Sequence, residues 1–170
     1  MSVYPEAYIE YLKHFHGSRD FFECHEVLEE YWKKVPDSPF HHLWVGLIQI
    51  AVALYHQRRG NVRGALKMMS SAVDKLRNEE LSDLGIDQKL LIEQLEQRLT
   101  LLKERPDESY RDMDIPVIDS ELSKLIKKAK EEVFDPFVIN KHTERDRSEV
   151  IKTREAELIK RKAAQPGSST

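Results

Sequence analysis

An all-α helical bundle is the fold class this sequence predicts, on three observations. Proline, glycine and Asp/Asn/Ser caps punctuate the chain at regular intervals from Pro5 to Pro106. The segments between them repeat their apolar residues at helical spacing. No segment alternates apolar and polar residues with turn signals at its ends, so no sheet is expected. The expected architecture is a bundle of about four to five antiparallel helices over residues 1–105. A linker over 106–119 and a charged helical extension with a disordered tail over 120–170 complete it.

The elements follow in order. Pro5 opens a first helix that runs to about His16 and stops at Gly17. Asp20 caps the second, with Glu23 at the capping-box position, and Pro36 ends it near Val35. Ser38-Pro39 opens a long third helix, about 39 to 59, closed by Gly60. Asn61 caps a fourth, about 62 to 78. Asp87, after the Gly85 break, caps a fifth, about 88 to 105, stopped by Pro106. Residues 107–119 are polar and contain Pro116, which predicts a linker. Ser120 to Phe134 reads as a short amphipathic helix carrying Leu122, Leu125, Ile126 and Val133. Residues 141–163 are dense in Lys, Arg and Glu, as solvated helix or disorder would be.

Composition narrows the function classes. Charged residues make up 34% of the 170, yet the net charge is only -3, so no global attraction to nucleic acid or anionic lipid is expected. The single cysteine, Cys24, rules out an intrachain disulfide and a multi-cysteine metal site. Its place on an apolar arc predicts a small buried hydrophobe rather than a nucleophile. The apolar run from Leu43 to Tyr55 is too short to span a bilayer and predicts a buried helix. The N-terminus has no basic region followed by an apolar run, and a cytoplasmic location is expected.

The stretch His25-Glu26-Val27-Leu28-Glu29-Glu30 carries the candidate chemistry. On a wheel of about 100° per residue, Phe21, Cys24, Leu28, Tyr31, Trp32 and Val35 form an apolar arc. His25 and Glu29 stack at its border, while Glu26 and Glu30 turn to solvent. In the nearly all-apolar third helix, Gln49 and His56 are the polar exceptions, one below the other. Antiparallel packing of the two helices would turn Gln49 and His56 toward His25 and Glu29. Such groups could satisfy one another as a structural seam. They could also hold a metal, since two histidines and a carboxylate form a ligand set for zinc or iron. The sequence requires no cofactor. The metalloprotease pattern H-E-x-x-H is absent, because Glu29 stands where its second histidine would be. Arg58, Arg59 and Arg63, around the Gly60 turn, are candidates for gripping an anion, beside the plainer reading of a charged solvent corner.

Taken together, Phe22, Glu23, His25 to Glu29, Trp32, Gly46 to Gln49, Ala51, His56, Gly60-Asn61 and Gly64-Ala65 resemble the small helical proteins of domain-of-unknown-function family 309, over residues 12–76. The resemblance implies an all-α bundle and assigns no catalytic residue. Trp44 stands where that pattern would have a polar residue. The leading expectation is a non-enzymatic binding or scaffold protein, with a protein partner or a small ligand seated beside the seam, and with helical surfaces available for self-association. The alternative is a metal-dependent or acid–base hydrolase using His25, Glu29 and His56.

Overall fold

The computed structural model describes residues 3–131, which lie within a compact unit spanning 1–139. The charged run 141–163 and the tail fall outside the described residues. The architecture is all-α, as expected. Its helices are α1 (Glu6–Lys13), α2 (Phe21–Lys34), α3 (His41–Arg58), α4 (Val62–Leu76), α5 (Gln88–Glu104) and α6 (Ser120–Ala129). A π turn, His14–Ser18, continues α1, and a 3-10 turn covers Ser82–Leu84. Among the described residues no helix is long and apolar enough to cross a membrane.

The predicted caps form. Asp20, Asn61 and Asp87 each accept, through the side chain, a backbone N–H of the first turn they precede. Asp119 does the same for α6, taking the amides of Glu121 and Leu122. The third helix begins two residues later than expected, because Ser38 Oγ accepts the Phe40 amide and holds Ser38 and Pro39 in a preceding turn. Gln88 reaches back to cap α4, donating its amide to the Leu76 carbonyl at 3.1 Å.

Helix α3 is the buried centre, packed chiefly against α4 and then α2. Leu43, Trp44, Leu47, Ile50 and Leu54 are all buried, as its continuous apolar character requires. Trp44, at the position where the family pattern suggests a polar residue, lies among Tyr8, Tyr31 and Phe40 with centroids 5.5–5.8 Å away. Gly46 lets α4 approach closely: a Cβ there would sit 2.7 Å from the Leu76 side chain. Buried tyrosines tie α1 to later elements. Tyr11 Oη donates to the Leu47 carbonyl and Tyr8 Oη to the Leu84 carbonyl, both at 2.6 Å.

The expected linker is not a linker. Residues 106–119 form a strap laid along the bundle, with Met113 and Ile115 buried in the core. Ile86 and Val117 form an antiparallel bridge, flanked by Asp87 N–H donating to Pro116 O (2.9 Å) and Ile118 N–H to Gly85 O (2.7 Å). Helix α6 then buries Leu122, Ile126 and Ala129 against α1 and the π turn. Two glycines admit this return. A Cβ on Gly17 would lie 2.5 Å from the Ala129 carbonyl oxygen, and one on Gly85, at φ +70, would meet Asp119 and Leu122. The separation of 1–105 from 120–131 is therefore corrected: the described part of the extension completes the same core. The apolar face of Ser120 onward was legible in the sequence, but nothing in it said that this face returns to α1.

Candidate functional site

Half of the expected seam assembles. His25 Nε2 lies 2.6 Å from Glu29 Oε2, one turn apart on α2. Lys33 Nζ approaches the other Glu29 oxygen at 3.5 Å, and Glu26 stands 3.5 Å from His25 Nδ1. Phe22 backs the imidazole, with centroids 6.0 Å apart. Both members of the pair remain about one-third exposed, so it lies at the edge of the core rather than inside it.

The other half is directed elsewhere. His56 faces the start of α4: Asn61 Nδ2 donates to His56 Nδ1 at 3.2 Å, and Gly64 leaves room for the ring. Burial, reinforced by the Arg59 charge, lowers the His56 pKa below its ordinary value. Helix α4 thus claims the face of α3 that was expected to meet α2. Gln49 is half-buried, and its carbonyl oxygen has no partner among the described residues. Among those residues no three His, Cys, Asp or Glu side chains gather as a metal-binding group, so the set His25, Glu29, His56 does not form. Cys24 is buried, its thiol donating to the Tyr11 carbonyl at 3.4 Å and its pKa raised well above normal, chiefly by burial.

The arginine cluster also disperses. Arg58 turns inward, donating to the Arg19 carbonyl at 2.7 Å with its guanidinium 4.5 Å from the Phe21 ring centre. Arg59 lies over Tyr55, and Arg63 is exposed. These three do not converge on one point.

A different site appears at the C-terminal end of α3. A cleft of about 740 Å³ opens between the α3–α4 corner, α5 and residues 106–114 of the strap. Gln57, Arg58, Gln94, Arg98, Arg105 and Tyr110 line it. Arg98 is its organising residue. One nitrogen donates to Gln57 Oε1 and another to the Arg111 carbonyl, each at 2.8 Å, which pins the strap to α3 and α5. Its guanidinium also faces the Tyr110 ring, 5.7 Å from the centroid. Burial pushes the Tyr110 phenol pKa upward, aided by the Asp112 carboxylate, so the phenol stays neutral. The Gln94 carbonyl oxygen is buried without a partner among the described residues. Of this lining the sequence singled out only Arg58, and nothing in it marks Gln94 or Arg98. Only the return of the strap encloses them.

Comparisons with known proteins agree with the family resemblance. A family model described as "Domain of unknown function (DUF309)" matches residues 8–68. The uncharacterized protein YpuF of Bacillus subtilis (strain 168) is 40% identical over 172 residues, spanning 94% of this chain and 98% of its own length. No solved structure matches the chain.

Proposed function

The chain belongs to the family Domain of unknown function (DUF309), and from that premise we propose that it is a non-enzymatic binding protein whose ligand seat is the strap-walled cleft. The single observation that carries this reading is Gln94, which lines a cleft large enough for a small molecule and whose carbonyl oxygen is buried with no partner among the described residues, so that a turn of the amide toward the cleft would present it to a ligand. An unpaired buried acceptor costs about 1–3 kcal/mol, and a ligand N–H or O–H would offset that cost. Arg105 and Arg111, exposed at the rim, suit an acceptor or carboxylate at the ligand's other end. The ligand class is a small polar molecule with both features. A peptide segment of a protein partner would meet the same requirements.

The hydrolase alternative is less well supported, because His56 is occupied with Asn61 rather than joined to His25 and Glu29. We infer that the His25–Glu29 pair helps to hold the surface of α2 and binds no zinc or iron.

The test is thermal melting of wild type and Gln94→Leu with a panel of amino acids, dicarboxylates and nucleotides. The leucine removes the acceptor and keeps the bulk, so the free variant should melt at or slightly above the wild-type temperature. Compounds that raise the wild-type melting temperature should fail to raise that of the variant. A response shared by both proteins, or a destabilised free variant, would move the ligand seat elsewhere.

A further inference from the structure

The wall of the cleft is held by a histidine that lies outside the cleft. His16, in the π turn, is 2% exposed. Its Nδ1 is 2.9 Å from the Leu12 carbonyl oxygen, and its Nε2 is 2.9 Å from the backbone nitrogen of Ile115 in the strap. A carbonyl only accepts, so Nδ1 carries the ring proton. A backbone N–H only donates, so Nε2 must be bare. Two main-chain groups that cannot exchange roles therefore define one neutral tautomer.

Among the described residues, nothing around the ring offers a proton arriving at Nε2 an alternative partner. From the strap, Asp114 faces the ring, but its carboxylate already accepts from Arg19 at 2.8 Å and pairs with Lys130 of α6. Arg19, at the end of the π turn, also donates to the Met113 carbonyl and lies 3.7 Å from Asp112. From α1 comes the Leu12 carbonyl, and the Phe15 ring lies alongside at 5.3 Å. Burial opposes ionisation of Asp114, but hydrogen bonds from Lys130 and Arg19 outweigh it and hold its pKa below the ordinary range. Asp114 thus stays charged while a histidine titrates.

We propose that His16 is a proton-operated latch on the cleft: neutral, it holds Ile115 and the adjoining wall 110–114 in place, and on taking a proton at Nε2 it releases them. The second proton sets N–H against N–H at 2.9 Å inside a buried site. The ring then reaches solvent only if Ile115 moves away. Tyr110, Arg111 and Asp112, a few residues upstream, move with it, and all three line the cleft. The latch itself stands on the His16–Ile115 geometry. Its consequence for ligand binding rests on the reading of the cleft as the ligand seat.

Amide hydrogen exchange followed by NMR on the whole chain between pH 7.5 and 5.0 tests the latch, with each rate divided by the intrinsic rate at that pH. Burial lowers the His16 pKa below its ordinary 6.5. Between 6.5 and that lowered value, opening of the strap should rise about tenfold for each unit that pH falls. The Ile115 amide should lose protection in that proportion while Leu47, Ile50 and Leu54 of α3 keep theirs. His16→Gln offers an acceptor that does not titrate, so its Ile115 protection should be flat with pH. Should that variant fail to fold, the wild-type Nε2 nitrogen shift must titrate with the same midpoint as Ile115 exposure. Ile115 protection that is unchanged at pH 5.0, or that falls together with α3, overturns the latch. Loss of the Gln94-dependent ligand response with a working latch overturns only the ligand seat.

Discussion

Glu29 stands partly in water, and this decides what its bond to His25 contributes. A buried carboxylate robbed of its partner would leave a costly orphan, but a hydrogen-bonded pair about one-third exposed loses less, because solvent takes the partner's place. Glu29→Ala should therefore cost about 0.5–1 kcal/mol. Glu30, paired with Lys34 on the exposed outer face, should give no measurable change when replaced by alanine. Paired urea melts check this, and equal losses would show that the exposure difference does not matter. The wheel position of Glu29 was legible in the sequence, since i, i+4 stacking is a property of the helix alone. The partner of His56 was not. Gly46 and Gly64 clear the way for α4 on the face of α3 where α2 was expected, and the sequence holds no statement of which neighbour takes that face.

At the scale of elements, the caps were readable because each is a contact within about four residues. The packing of the strap and of α6 was not, because their contacts reach back more than thirty residues to Gly85 and more than ninety to Arg19 and Gly17. Met113, Ile115, Leu122, Ile126 and Ala129 are all buried there. Full burial of a large aliphatic side chain contributes about 1.5–3 kcal/mol, so these residues together rival the whole stability of a small domain, about 5–15 kcal/mol. A chain ended after Arg105 should therefore lose cooperative thermal unfolding and bind a hydrophobic dye. A sharp melt within a few degrees of the full chain would mean that α1 to α5 suffice. A second element-scale outcome concerns Gly17→Ala, whose Cβ would strike the backbone of Ala129. Overpacking of this kind costs about 1–3 kcal/mol, and the loss should appear as reduced amide protection across α6 before any change in α3.

For the molecule as a whole, His16 sets the dependence of stability on acid. Its folded pKa lies below 6.5, so between the two values the unfolded chain binds a proton that the folded chain refuses. Its contribution is complete above pH 6.5 and is lost as pH falls toward the folded value. His56, lowered by burial and then Arg59, acts in the same direction but is less enclosed. Denaturant midpoints measured from pH 7.5 to 5.0 should fall in wild type and flatten in His16→Gln; parallel curves would assign the acid loss to other groups. The tyrosine bridges of α1 carry a different implication. Tyr4 Oη donates to Asp119 at 2.8 Å across 115 positions, and Tyr8 reaches Leu84 across 76. The α2–α3 and α3–α4 pairs close through short loops, whereas these contacts wait for most of the chain to be present. During synthesis, α1 can dock on α2 and α3 through Tyr11, Phe15 and Trp44 once those helices are present. The polypeptide then spends the remaining interval with only the Tyr4–Tyr8 end of that helix unfastened, and the last described helix to emerge supplies the carboxylate cap, Asp119, that secures it.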